Sequence, residues 1–247
     1  MTYKTFRLAQ MIVLASIALS SAAWAGNCSN ASLSGTYGFL HDGTDSNGTP
    51  ATAAVSQITF DSTTGTFTVK TTASHDGVIV SDSATGTYVV DTDCTGTGTP
   101  AGASPFSIVV TPRGFLALHL FSEGFAVNQG SPACTNAGVK GRFGFETTGV
   151  FLATGAVAFI GELKLTVNPS GKGVISGHMS SSEDGAFLTF ESVTGSYTID
   201  ANCRGRAAIK ANGLPEMHFH LVVVDAGNEM LAIETDADTV VSGSLQR

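Results

Sequence analysis

A stretch near the end of the chain, EMHFH, carries the residue types from which metal sites are built. Glu216, His218 and His220 alternate, so on a β-strand their side chains project from one face, and carboxylate and imidazole groups are common zinc ligands. The apolar residues from Phe219 onwards match an earlier stretch (FSIVV, residues 106–110) that reads as a core face, which puts the histidines on the opposite face. That face is solvated unless another domain covers it. These three residues are the candidate metal ligands, and we predict that they bind no metal.

A second set of residues could contact a ligand. Tyr37, Phe39 and His41 alternate in GTYGFLH and therefore share one face of a predicted strand. Two aromatic rings and an imidazole that face the lumen of a barrel would contact an apolar molecule. The alternative is a core histidine that is hydrogen-bonded to a neighbouring carbonyl group. Tyr37, Phe39 and His41 are the candidate ligand-binding residues.

Basic side chains cluster after the last cysteine. Arg204, Arg206 and Lys210 fall on one face of a predicted strand and could hold a carboxylate or a phosphate group. Charged side chains that protect a strand edge from unwanted pairing explain the same pattern equally well.

Known catalytic motifs are missing from the sequence. The chain contains no GxSxG stretch, and all four cysteines belong to a repeated pattern, so no serine or cysteine nucleophile is indicated. The glycine-rich stretch GTGTPAG (96–102) precedes no predicted helix that could receive a phosphate, which argues against a dinucleotide site. We predict no cofactor, assign no catalytic residue and leave open whether the protein is an enzyme.

The sequence elements that would position these residues occur twice. CSNASLSGTYGF (28–39) resembles CTNAGVKGRFGF (134–145), and TGTYVVDTDCTG (85–96) resembles TGSYTIDANCRG (194–205), with half of the positions identical in each pair. FSIVVTPRG (106–114) matches FHLVVVDAG (219–227), so the order is kept. Each copy has the length of a small domain. The pattern indicates a duplication, with one repeat at 26–132 and the other at 133–247.

The local pattern within each copy is that of β-strands. Apolar and polar residues alternate in GTFTVKT and GTYVVDT, and turn-forming stretches such as NPSGKG recur at short intervals. No window shows helical periodicity. The sequence therefore predicts an all-β protein with two tandem antiparallel β-barrels, because about eight short strands fit each copy and closure removes exposed edges. Two β-sandwich domains or one larger barrel are the alternatives.

The four cysteines occupy equivalent places in the two copies. Cys28 and Cys134 open the first strand of each copy, and Cys94 and Cys203 end a later one. Four cysteines allow three pairings, and pairing within each copy closes two loops of nearly equal length. We predict disulfides Cys28–Cys94 and Cys134–Cys203, which an oxidising compartment permits. Crossed pairings would tie the copies together, and four free thiols are the remaining alternative.

The front of the chain predicts export. Lys4 and Arg7 precede the apolar run MIVLASIALSS and a small-residue end at Ala25, a pattern typical of a secretory signal peptide over residues 1–25. The formal net charge of −8 argues against a nucleic-acid partner. No later stretch is apolar for long enough to cross a bilayer as a helix. We expect a secreted or periplasmic protein, with an outer-membrane barrel as the minor alternative and no indication of the oligomeric state.

The paired stretches also carry a resemblance. LSGTYGF with TGTYVVDTDCTG, and VKGRFGF with TGSYTIDANCRG, resemble those of uncharacterised secreted bacterial proteins whose small β-barrel units are similar to the calycins, the lipocalin-like barrels. The resemblance covers most of both copies. It implies a barrel fold and no particular activity.

Two function classes follow from these observations. The first is a secreted, non-enzymatic β-barrel protein that binds a small apolar molecule or serves as a surface or matrix component, and we favour it. The alternative is a cofactor-free isomerase or cyclase that works inside a barrel lumen, similar to the allene oxide cyclase type of barrel. The interior of the barrels is the observation that discriminates. A lumen filled by side chains leaves no room for a ligand or a substrate and supports neither class, whereas an open pocket with a few polar groups supports both.

Overall fold

The computed structural model describes residues 27–44, 50–119 and 122–247, and these residues form sixteen β-strands and no α-helix. The predicted signal peptide at residues 1–25 lies outside the described residues. Within them, no helix is long and apolar enough to cross a membrane.

The first eight strands form one closed antiparallel barrel. Each strand pairs with its neighbours in sequence, and the last strand closes onto the first. The strands are β1 (Gly35–Thr44), β2 (Pro50–Asp61), β3 (Thr66–His75), β4 (Val78–Val90), β5 (Thr95–Pro100), β6 (Phe106–Thr111), β7 (Gly114–His119) and β8 (Ser122–Asn128).

The second eight strands repeat this arrangement. Their last strand pairs with the first, so this barrel is closed as well. The strands are β9 (Gly141–Phe151), β10 (Gly155–Val167), β11 (Gly173–Glu183), β12 (Ala186–Ile199), β13 (Arg204–Ala211), β14 (Glu216–Val224), β15 (Glu229–Glu234) and β16 (Thr239–Gln246). The prediction of two tandem antiparallel barrels is confirmed.

Each lumen is packed with apolar side chains. Since neighbouring residues of a strand point to opposite faces, every second residue enters the lumen. The core of the first barrel is built largely from aromatic side chains, among them Tyr37, Phe60, Phe67, Tyr88 and Phe115. The core of the second barrel contains more aliphatic side chains beside Phe143, Phe145, Phe159, Tyr197 and Phe219.

A disulfide and an asparagine fasten the same end of each barrel. Cys28 is bonded to Cys94, and Cys134 to Cys203, which is the pairing within each copy that the sequence favours. In the first copy, Asn30 Oδ1 accepts a hydrogen bond from the Val90 backbone N–H at 2.8 Å, and the Tyr88 hydroxyl donates to the Asn30 carbonyl oxygen at 3.0 Å.

The second copy makes the same bonds. Asn136 Oδ1 accepts from the Ile199 backbone N–H at 2.8 Å, and the Tyr197 hydroxyl donates to the Asn136 carbonyl oxygen at 2.8 Å. Burial raises the pKa of the Tyr197 hydroxyl, so it remains a donor at physiological pH. The repeated cysteine, asparagine and tyrosine thus form a structural clasp at one end of each barrel.

The two barrels share an apolar core on their outer faces. The outer side of β1 and β2, with β8 at its edge, packs against the outer side of β14 to β16. The residues that meet there are Leu40, Ala53, Val55 and Val127 of the first barrel and Val222, Val224, Leu231, Ile233 and Val240 of the second. The first barrel therefore covers part of the β14 face that carries the histidines. Sequence analysis expected this face to be solvated unless another domain covered it, and the first barrel is that domain.

Polar contacts surround this inter-barrel core. Gln129 Nε2 donates to the Val223 carbonyl oxygen at 3.0 Å, and Ser74 Oγ donates to the Thr239 carbonyl oxygen. Arg113 Nη2 lies 2.7 Å from Glu229 Oε2, and the Glu229 side chain is only 3% exposed. A buried carboxylate without a cationic partner is strongly destabilising, so Glu229 of the second barrel needs Arg113 of the first barrel beside it. These contacts therefore fix the orientation of the two barrels relative to each other.

Candidate functional site

Strand β1 presents two different faces. Gly38 and Leu40 point outwards to the second barrel, whereas Tyr37, Phe39 and His41 point into the lumen of the first. The three predicted ligand-binding residues therefore lie on the lumen face, in order from the clasp end towards the opposite mouth.

Tyr37 belongs to the closed end of the lumen. Its ring centroid lies 5.8 Å from that of Phe60 and 5.8 Å from that of Phe115, both in edge-on geometry. Only 4% of Tyr37 is exposed, and its hydroxyl donates to the Ser34 carbonyl oxygen at 3.5 Å. Tyr37 is therefore part of the packed core below the pocket at the mouth and does not line that pocket.

Phe39 and His41 line a pocket at the mouth opposite the clasp. Its volume is about 220 Å³. The two rings stack with centroids 5.3 Å apart, and Phe39 stacks in turn on Phe115 at 5.7 Å. The remaining lining residues are Pro100, Ala103, Ser104, Phe106, Ala117 and Glu123.

This pocket is small, mostly apolar and built on rigid elements. Phe39, Phe106 and Ala117 come from strands β1, β6 and β7, and Ala103 and Ser104 from the loop between β5 and β6. A cavity of about 150 Å³ in another protein is large enough to hold benzene. The pocket of 220 Å³ can therefore take a molecule with one ring or two fused rings.

The three candidate metal ligands do not converge on one point. His218 Nδ1 lies 2.8 Å from Asp236 Oδ1, and Glu216 Oε2 lies 3.8 Å from His218 Nε2. His220 turns to the first barrel, where its Nδ1 lies 3.0 Å from Thr72 Oγ1. In the part of the chain that the structure describes, no group of three or more histidine, cysteine or acidic side chains is arranged to hold a metal ion.

The second barrel has different groups at the equivalent mouth. In the aligned repeats, Phe145 takes the place of Phe39 and Thr147 that of His41. Glu234 lies nearby on the lumen face of β15, because it alternates with the core residues Met230 and Ala232. Thr147 Oγ1 and Glu234 Oε2 are both buried, and neither has a hydrogen-bond partner among the described residues.

Burial raises the pKa of the Glu234 carboxyl group to about 8, with a smaller contribution from the charge of Asp236. The group is therefore protonated at neutral pH. Sequence analysis missed this residue, although the stretch EMLAIE contained a usable signal, since strand alternation places Glu234 on the core face.

Three further cavities lie on the outer surfaces. One of about 790 Å³ lies between the barrels beside His220, and a neighbouring one of about 420 Å³ is lined by His218 and Asp236. The third, of about 700 Å³, lies on the outside of the second barrel and is lined in part by Ile160 and Phe187.

Comparison with known proteins gives little further information. No protein-family model matches the chain, and no curated protein sequence matches it. Among solved structures, the chain is similar to the crystal structure of a protein of unknown function from the DUF3598 family of Nostoc punctiforme. The identity is 10%, the similarity covers 88% of this chain and 97% of that chain, and the TM-score is 0.26. At that score the similarity supports no argument about function.

Proposed function

We propose that the protein is an exported, non-enzymatic binding protein, similar to the calycin-like barrels, whose first barrel holds a small apolar ring molecule at its open mouth. The observation that carries the proposal is the pocket of 220 Å³ in which Phe39 and His41 stack, with Phe106 and Ala117 beside them. The ring of the ligand lies against Phe39 and Phe106, because aromatic rings gain energy from offset or edge-on contact beyond the apolar area that they bury.

The two disulfides support the extracytoplasmic part of the proposal, since disulfides persist in oxidising compartments. A ligand of this size has few atoms with which to gain binding energy. We therefore expect dissociation constants of about 0.1–1 mM for single-ring and indole-sized molecules.

The test is to fill the pocket. The Ala117→Leu substitution adds three carbon atoms at a lining position, and we expect it to abolish the binding of indole measured by isothermal titration calorimetry. Thr97→Leu adds a leucine to the outer face of β5 in the same barrel and serves as the matched control, which should bind indole as the wild type does. Equal affinity of the wild type and a folded Ala117→Leu protein would refute the proposed site.

The alternative of a lumen cyclase has one observation in its favour. Glu234 is a buried acid with a pKa near neutrality, as a general acid or base requires. However, Glu234 does not line any of the four cavities described above, whereas Phe39 and His41 do line one of them. The binding function therefore remains the better supported proposal.

A further inference from the structure

The cleft of about 790 Å³ between the barrels is lined from both sides. Strands β3 and β4 of the first barrel form one wall, and β12, β13 and β14 of the second form the other. The residues that line it are Lys70, Thr71, Thr72, Ser81, Asp82 and Ser83 on the first wall and Thr198, Ile199, Asp200, Arg204, Gly205, Arg206 and His220 on the second.

Permanent positive charge collects in this cleft although the whole chain has a formal net charge of −8. Lys70, Arg204 and Arg206 are the cationic side chains, and none of them forms a salt bridge with a carboxylate of the described residues. The sequence grouped Lys210 with the two arginines, but Lys210 Nζ instead donates to the Leu214 carbonyl oxygen at 2.7 Å. Lys70 of the first barrel takes its place.

The two carboxylates in the lining are oriented by local structure. Asp200 Oδ1 accepts the backbone N–H groups of Asn202 at 2.8 Å and Arg204 at 3.1 Å within the β12–β13 turn. Asp82 alternates with Ser81 and Ser83, so its side chain projects from the opposite face of β4. The cleft therefore keeps an excess of positive charge, because three cationic side chains line it against the one carboxylate of Asp200.

A buried threonine connects the two walls. Thr72 is fully buried, and its Oγ1 accepts a hydrogen bond from Arg204 Nη2 at 3.0 Å. His220 Nδ1 lies 3.0 Å from the same oxygen, and Ser81 Oγ lies 3.4 Å away. The hydroxyl can accept from Arg204 and from a protonated His220 while it donates to Ser81, so the network accommodates the charged imidazole.

In the free protein, the surroundings of His220 disfavour its protonated, charged form. Burial, followed by the positive charges of Arg206 and Arg204, lowers the pKa of the His220 imidazole. Lys70 and the carboxylate of Asp200 also face this cleft, whereas the Asp82 side chain lies on the opposite face of β4. A bound anion would offset the repulsion, because it places negative charge beside all of these cations.

We propose that the inter-barrel cleft is a binding site for a small molecule that carries a phosphate or sulfate ester on a polyhydroxylated body, such as a sugar phosphate. Arg206, Arg204 and Lys70 hold the oxyanion, since guanidinium groups match the geometry of tetrahedral oxyanions. The hydroxyl groups of Ser81, Ser83 and Thr198 line the rest of the cleft and hydrogen-bond the hydroxyl groups of the ligand. This site is separate from the pocket at the mouth of the first barrel and does not depend on it.

Isothermal titration calorimetry of the whole protein with glucose 6-phosphate, glucose 6-sulfate, inorganic phosphate and glucose tests the proposal. We expect one of the two esters to bind with at least a 3-fold lower dissociation constant than inorganic phosphate, and glucose not to bind. The tighter ester identifies the source of the oxyanion. Equal binding of phosphate and both esters would overturn the polyhydroxylated body, and no binding of any anion would overturn the site.

Two variants and one spectroscopic measurement make the test specific. Arg206 is exposed and makes no described hydrogen bond, so Arg206→Gln should fold normally and weaken ester binding about 10-fold through the loss of one charged contact. Arg142→Gln removes one positive charge from the outside of the second barrel, where Arg142 pairs with Glu162, and should change affinity less than 2-fold. The pKa of His220, followed by NMR, should rise on saturation. Equal loss in both variants, or an unchanged His220 pKa, would contradict binding in the cleft.

Discussion

Replacing Glu234 with glutamine should remove a large decrease in the free energy of unfolding that the wild-type protein undergoes as pH rises. The pKa of Glu234 in the folded protein, about 8, lies above the ordinary value of 4.5 for this group, so the folded protein keeps a proton that the unfolded chain releases. The free energy of unfolding therefore falls as pH rises from about 4.5 to about 8, by about 1.4 kcal/mol per pH unit. By pH 7 the loss is on the order of 3 kcal/mol.

The measurement is urea unfolding of the wild type and Glu234→Gln at pH 5 and pH 8. Glutamine mimics the neutral carboxyl group, so the two proteins should have similar unfolding free energies at pH 5, and the variant should be more stable at pH 8. Glu146 is an exposed carboxylate of the same barrel, and Glu146→Gln is the matched control that should keep the wild-type pH dependence. Parallel pH profiles for wild type and Glu234→Gln would show that Glu234 does not hold its proton.

The second large effect concerns the contact between the barrels. Gly38 lies on the outer face of β1, where an added Cβ would meet the Cγ1 atoms of Val224 and Val222, the latter at 3.0 Å, and Leu231 Cδ1 at 3.3 Å. Gly38→Val adds two further methyl groups to this packed contact. We expect it to lower the free energy of unfolding by about 3 kcal/mol, the upper range for overpacked cores.

The duplication supplies the control for that substitution. Gly144 is the equivalent glycine of the second copy, and the nearest atom to an added Cβ there is the Gln246 carbonyl oxygen at 3.7 Å, an ordinary contact. Gly144→Val should therefore leave stability almost unchanged. Urea unfolding measures both, and small-angle scattering should detect separated barrels only for Gly38→Val. Equal effects of the two substitutions would mean that the inter-barrel contact is not as described.

Much of the fold was accessible from the sequence because it follows from local pattern. Alternation in stretches such as GTFTVKT set the strands, and the repeated cysteines indicated the pairing within each copy. The contact between the barrels was not accessible in the same way. Val222 is fully buried, yet its equivalent in the first copy, Val109, is 45% exposed although both occur in the same apolar pattern.

One signal for that contact was present in the sequence. In the run LVVV at the end of β14, both faces are apolar, which is typical of a strand buried on both sides. The partner face could not be identified from one copy alone. Leu40 lies in the inter-barrel core, while the equivalent position in the second copy holds the exposed Glu146. The charged residue keeps the second copy's face in solvent, so the two copies use the same strands differently.

The candidate site residues also differ in how far the sequence could predict their arrangement. Strand alternation correctly grouped Phe39 with His41 on one face, because that depends on neighbours in sequence. The meeting of Lys70 with Arg204 and Arg206 depends on how two separate barrels pack, and no local pattern encodes it. The same packing brings His220 to Thr72 and away from the other two candidate metal ligands, Glu216 and His218.

The most direct test of the proposed function is an NMR measurement of intermolecular nuclear Overhauser effects between indole and the isotope-labelled protein. The proposal predicts contacts from indole protons to the rings of Phe39 and Phe106 and to the methyl group of Ala117, at the mouth of the first barrel. Contacts confined to exposed apolar side chains on the outside of that barrel, such as Leu116 and Phe125, would contradict it.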